Sequence, residues 1–173
     1  DARLLNNRLS FTGEYYVKNT RDILLAMPVP LEYGFGKPNM NIGQVRNKGW
    51  ELSLGWNDRV NDFGYSISAN LSDNRNEVVD LGDTGPWKGS STYTEVGLPF
   101  NSIYGYESMG LFQSDKEVAE APFQNSKTSA GDIRYKDQNG DNKIDANDRV
   151  VLGDPNPHFL YGMNLSFDYK NFD

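Results

Sequence analysis

The sequence has no cysteine, a single histidine and no run approaching the roughly 20 consecutive apolar residues of a membrane helix. Without cysteine there is no disulfide framework, no thiolate metal site and no cysteine nucleophile, and the redox compartment stays undetermined. The lone His158 lies between Pro157 and Phe159 with no Ser nucleophile in an evident partner arrangement, so it reads as a structural residue at a turn. Basic residues are outnumbered, 17 Lys and Arg against 24 Asp and Glu, for a net charge of -7. That balance excludes nucleic acid as a partner and argues against anionic headgroups, since both need basic surface. The acids cluster in loops, away from the paired placement that a glycosidase needs. "GPWKGSS" lacks the glycine spacing of a phosphate loop. No catalytic residue is assigned. The first residues, "DARLLNNRLSF", have neither the charged start nor the apolar run of a signal peptide. They open inside a strand-like pattern, which reads as a piece of a longer protein.

With 173 residues the chain is long enough for one domain. Only 37% of it is apolar, yet 13% is aromatic, so hydrophobicity sits in a few large side chains that suit strands. The period-2 signal bears this out. Leu9, Phe11, Gly13, Tyr15 and Val17 alternate with Ser10, Thr12, Glu14 and Tyr16. Trp50, Leu52, Leu54 and Trp56 alternate with Glu51, Ser53, Gly55 and Asn57. Phe63, Tyr65, Ile67, Ala69 and Leu71 alternate with Gly64, Ser66, Ser68 and Asn70. In the last run Phe159, Tyr161, Met163, Leu165, Phe167 and Tyr169 alternate with Leu160, Gly162, Asn164, Ser166, Asp168 and Lys170.

Three features favour an all-β membrane barrel over a soluble sandwich. The runs last about nine to eleven residues, the length of a tilted membrane strand, where soluble strands average about five or six. Aromatics bracket the smaller apolar residues in the manner of interfacial girdles. The second and third runs are joined only by "DRVNDF", whereas later connections are long, which matches the short-turn, long-loop asymmetry of outer-membrane barrels. Trp50–Trp56 and Phe63–Leu71 are therefore expected to form one hairpin, with Leu52 and Ile67 on the same face. The outward residues Trp50, Trp56, Tyr65 and Tyr161 discriminate between the folds: contact with lipid means a barrel, burial under a second sheet a sandwich. The stretch "DLGDTGPWKGSSTYTEVGLPFN" reads as loop. Ser114 and Glu117 form a capping box for one short helix that stops at Pro122.

Residues 137–148, "DQNGDNKIDAND", follow the spacing of the twelve-position calcium loop. The expected ligands are Asp137, Asn139, Asp141, the carbonyl of Lys143, Asp145 and Asp148. Position 6 is Asn142 where glycine is usual, and asparagine is the side chain that tolerates the left-handed region next best. Position 12 is Asp instead of Glu, which shortens bidentate reach. A structural Ca²⁺ is expected here.

The block "GDIRYKDQNGDNKIDANDRVVLGDPNPHFLYGMNLSFDYKNFD" resembles the late-barrel signature of SusC/RagA-type TonB-dependent outer-membrane transporters. "NNRLSFTGEYYVKNTRDILLAMPVP", "NIGQVRNKGWELSLGW", "FGYSISANLSDNRNEVVDL" and "IYGYESMGLFQS" resemble, in order, successive strands and loops of that family. Residues 1–173 then represent the C-terminal part of a large transmembrane β-barrel, with the plug domain and most of its about 22 strands elsewhere. The resemblance implies a bacterial outer-membrane location in contact with lipid and import of glycan or peptide oligomers. It further implies energy from TonB through the parent protein, a SusD-like surface lipoprotein as partner and no enzymatic turnover. The alternative is an extracellular calcium-stabilised β-sandwich that binds carbohydrate on Trp87 and Tyr93.

Overall fold

The alternation sets the strands, and a computed structural model describes residues 1–26, 39–41, 43–82 and 84–172. Met27–Pro30 of the first family-like segment, together with Ile42, Asp83 and Asp173, lie outside the described residues. In chain order the strands are β1 (Ala2–Leu4), β2 (Leu9–Thr20), β3 (Leu24–Ala26), β4 (Asn39–Asn41), β5 (Gln44–Val60), β6 (Phe63–Asp80), β7 (Trp87–Lys88), β8 (Thr92–Thr94), β9 (Ser102–Tyr106), β10 (Ser108–Leu111), β11 (Ile133–Tyr135), β12 (Arg149–Gly153) and β13 (Phe159–Tyr169). A helix, α1 (Asp115–Glu120), and a 3-10 turn (Ala146–Asp148) complete them. Packing divides the chain into two units, 1–84 with 96–99 and 156–173, and 85–95 with 100–155.

The first unit is an antiparallel sheet in the order β1-β2-β5-β6-β13. Its register carries the apolar residues of every long strand onto one face. Phe11 pairs with Leu54, Leu54 with Ala69, and Ala69 with Met163. One row on, Gly13, Leu52, Leu71 and Tyr161 line up, and the row on the other side is Leu9, Trp56, Ile67 and Leu165. Leu52 and Ile67 therefore share a face, as expected. On β5 the apolar stripe runs from Trp50 to Val60, broken only by Asp58. At about 3.3 Å per residue and a tilt of about 40°, it projects to roughly 25 Å, the height of the apolar band of an outer-membrane barrel. Among the described residues of this unit no layer covers the face, and Tyr161 is 87% and Met163 68% exposed. A water-soluble protein rarely leaves so large an apolar patch open. The sheet is part of a transmembrane barrel wall.

The opposite face is built from small polar residues: Ser10, Gly55, Ser68 and Asn164 in one row, Thr12, Ser53, Asn70 and Gly162 in the next. Two glycines on this face leave room for a facing side chain. A Cβ at Gly55 would lie 2.5 Å from the Ser10 hydroxyl, and one at Gly162 2.6 Å from Oδ1 of Asn70.

Two expectations need correction. "DRVNDF" is not a six-residue loop: β5 and β6 pair as far as Val60 and Phe63, leaving Asn61 and Asp62 as a two-residue turn with Asn61 at φ 55°. Asparagine tolerates that left-handed geometry. At the other end the hairpin continues to Gln44 and Asp80, so the two strands are 17 and 18 residues long. The polar segments "QVRNKG" and "SDNRNEVVD" gave no apolar alternation, but their backbone ladder needs none once it rises clear of lipid. Beyond the band Val45, Val78 and Leu81 are buried, and the Val78 amide and carbonyl pair with Leu98 and Gly97 at 2.8 Å.

A charge on the outward face should therefore cost far more than one on the inward face. In the full-length receptor, Met163→Arg is expected to lose about 2–4 kcal/mol, and the neighbouring lumen-facing Asn164→Arg about 0.5 kcal/mol or less. Urea titration of the receptor folded in lipid vesicles measures both; equal losses would invalidate the assignment of faces.

Candidate functional site

The second unit holds the acidic loop and the residues that shape it. The expected helix is present: the Ser114 hydroxyl accepts the Glu117 amide at 3.3 Å. Oε2 of Glu117 takes the Gln113 amide at 2.9 Å, one residue short of the cap that a reciprocal box would use. The stretch read as loop is partly strand. β7, β8, β9 and β12 form a four-stranded sheet, invisible in the sequence because its strands have two to five residues and β12 joins from far along the chain. On it the Arg149 guanidinium lies 4.4 Å from the Tyr104 ring, and Tyr104 packs on Tyr93 at 5.1 Å. Arg149 also donates to the carbonyls of Ser90 and Tyr104. Tyr93 is half-buried in that stack, and desolvation followed by the nearby Glu95 pushes its hydroxyl pKa up.

In the acidic loop the backbone turns as the spacing requires. Asn142 adopts φ 63°, Ile144 is buried, and the Ile144 amide donates to the Phe123 carbonyl at 2.9 Å. The carboxylates close this turn on its own amides. Asp137 accepts from Gly140 at 2.7 Å and from Asn142 at 2.8 Å. Asp141 accepts from Lys143 at 2.9 Å and Asp145 from Asn147 at 2.9 Å. Asp148, fully buried, accepts from Asp145 at 2.7 Å and from Gln138 at 2.9 Å. The Asn139 side chain turns to Asp141, and the ammonium of Lys143 sits 3.2 Å from Oδ2 of Asp145.

These hard oxygen donors are the right chemistry for calcium. They are not gathered on one point, however: among the described residues no three acidic groups stand close enough to share a metal ion.

The same bonds set the acidities. The Asp145 amide, with those of Gln138 and Asn139, holds the Asp148 carboxyl below its ordinary value against the opposing effect of desolvation. The Asn147 amide and then Lys143 do the same for Asp145. Beside the loop, Glu107 accepts from Gln138 at 2.8 Å and Lys136 at 3.0 Å, and both lower its pKa. This trio was missed in the sequence, since Glu107 is separated from its partners by 29 and 31 residues.

The family model described as TonB dependent receptor-like, beta-barrel, matches residues 2–172. The chain is 33% identical to TonB-dependent receptor P39 of Formosa agariphila over 207 residues, covering 99% of this chain and 20% of that protein. It is also 33% identical to TonB-dependent receptor P26 of the same organism, over 100% of this chain and 18% of that one. The chain thus spans about a fifth of the length of the curated relatives it matches. Among solved structures it is similar to the RagAB peptide transporter, with TM-score 0.72 and 26% identity over 95% of this chain and 18% of that one. The RagAB peptide importer in its closed-closed state gives TM-score 0.73, also at 26% identity over 95% of this chain and 18% of that one.

Depressed carboxylate pKa values mean that these bonds contribute order above the unfolded value of about 3.8 and lose it as pH falls through the lower folded values. Cutting between Gly131 and Gly153 by an acid-stable protease should stay slow from neutral pH down to about 4 and rise below that. In Asp148→Asn the rise should be replaced by fast cutting at every pH. A loop whose protection fades already near pH 6 would contradict this linkage.

Proposed function

Because this chain belongs to the TonB-dependent receptor β-barrel family, we propose that its parent protein imports glycan or peptide oligomers across the bacterial outer membrane. It would work with a SusD-like surface lipoprotein and draw energy through TonB. The observation that carries the reading is the sheet itself: four long strands with one continuous apolar face, short turns at one end and long connections at the other. That arrangement supports a wall between lipid and lumen, and the role proposed is conduction without turnover. The RagAB neighbours, described as peptide transporter and importer, support oligomeric cargo. Deleting the parent gene should abolish growth on one oligomeric nutrient and spare growth on its monomer. Unchanged growth over a broad panel of oligomers would refute the proposal.

The acidic loop is proposed to take one structural calcium ion through Asp137, Asn139, Asp141, the Lys143 carbonyl, Asp145 and Asp148. Its turn is already formed, with Asn142 in the left-handed conformation, and binding needs Asp137, Asn139, Asp141, Asp145 and Asp148 to turn oxygens from their present partners to the ion. Extracellular loops of this kind bind at about 10⁻⁴ to 10⁻³ M. Millimolar calcium should slow proteolysis between Gly131 and Gly153 in the wild-type receptor several-fold and leave Asp141→Ala unchanged. Equal protection of both, or of neither, would mean that the loop is held by its amide bonds alone.

A further inference from the structure

Asn139 and Gly140 form the one Asn–Gly step in the sequence, and both are exposed in the acidic loop. The side-chain Cγ of asparagine is an electrophile, and the amide nitrogen of the next residue reaches it most easily when that residue carries no Cβ. Here Gly140 sits at φ 77°, and beyond its chain neighbours no atom lies within 4 Å of where a Cβ would stand. The approach is open.

The local turn already brings the two groups round. Oδ1 of Asn139 accepts the Asp141 amide at 3.0 Å, and Nδ2 donates to Oδ2 of Asp141 at 3.1 Å. An asparagine bonded to the amide two residues on closes a ring that contains the intervening nitrogen, so Cγ and the Gly140 nitrogen belong to one small turn. One bond opposes their reaction. The Gly140 amide donates to Oδ1 of Asp137 at 2.7 Å, while Oδ2 of the same carboxylate takes the Asn142 amide at 2.8 Å. The nitrogen turns to Cγ only when its bond to Asp137 opens, and a hydrogen bond to a charged group is among the stronger ones to break.

We propose that Asn139 is a site of spontaneous, one-way deamidation, restrained while Asp137 holds the Gly140 amide. The Gly140 nitrogen bonds to Cγ of Asn139, the Cγ–Nδ2 bond breaks, and ammonia departs with the amide proton, leaving a cyclic imide. Water then opens the ring: cleavage at Cγ gives aspartate, and cleavage at the main-chain carbonyl gives isoaspartate. One water is consumed, one ammonia is released, and nothing is oxidised or reduced. Either product alters the loop. Aspartate replaces the Nδ2 hydrogen bond with a second negative charge against Asp141, and isoaspartate reroutes the main chain and shifts the Gly140 and Asn142 amides off Asp137. The loop loosens. This chemistry needs neither a lipid-facing wall nor a bound ion.

The full-length receptor in detergent is held in mildly alkaline buffer with a calcium chelator, and peptides are taken over time for mass spectrometry. Asn125, which precedes Ser126 in a separate turn of the same unit, is the internal reference. In the wild type Asn139 should convert ahead of Asn125. Asp137→Ala should speed conversion about tenfold, the order of one hydrogen bond to a charged group, with Asn125 unchanged. Asp137→Asn, which keeps an acceptor oxygen without the charge, should fall between. In heat-unfolded receptor, where the restraint is gone, Gly140→Ala should convert more slowly than wild type. No product at Asn139 in the unfolded wild type overturns the site. Asp137→Ala no faster than wild type, or Asn125 accelerated equally, overturns the restraint. Asn139→Asp should be cut between Gly131 and Gly153 several-fold faster than wild type, and unchanged cutting refutes the loosening. Heat-modifiable mobility on a gel confirms the folding of each variant, and Asp137→Asn carries the comparison if Asp137→Ala does not fold.

Discussion

Inside the hydrocarbon layer water cannot satisfy an amide, so each backbone N–H and C=O that enters must find a partner on the next strand. The unbroken pairings β2–β5, β5–β6 and β6–β13 answer that demand. The rest of the structure depends on this ladder. With the backbone locked, a strand has one remaining choice, which residues face out, and a slip of one residue would invert every side chain at once. The rows from Leu9 across to Leu165 and from Phe11 across to Met163 record that choice made the same way four times.

Where the ladder leaves lipid, the constraint changes. β5 and β6 stay paired along Arg46–Glu77 and Asn47–Asn76, but water now solvates their faces, so charge and amide groups replace the apolar stripe. Small local cores take over the holding. Val45, Val78 and Leu81 serve the first unit, and Tyr104, Phe112 and Ile144 the second. In the acidic loop even these are sparse, and carboxylate-to-amide bonds do most of the ordering.

The membrane part was legible because lipid and lumen impose opposite chemistry on alternate residues, and Trp50 to Leu71 wrote that rule directly. The outer half of the hairpin was not, since Lys48 and Arg75 follow no apolar period although their backbones pair. The strands around Thr92 and Val150 escaped notice for another reason: each is too short to show a period, and Val150 pairs with Gly105, far away in sequence. For the acidic loop, spacing gave the turn and the left-handed Asn142. It could not tell that Asp137 and Asp148 would each spend both oxygens on amides. The pairing of Lys48 with Arg75 was illegible for a similar reason, because the two become neighbours only through the register.

The row of Ser10, Gly55, Ser68 and Asn164, with Thr12, Ser53, Asn70 and Gly162 beside it, gives the inner wall a low relief. Short hydroxyl and amide groups make brief, replaceable hydrogen bonds, and the mid-wall rows carry no charge to pin a passing group. Whatever lies against these rows meets a shallow, hydrogen-bonding wall.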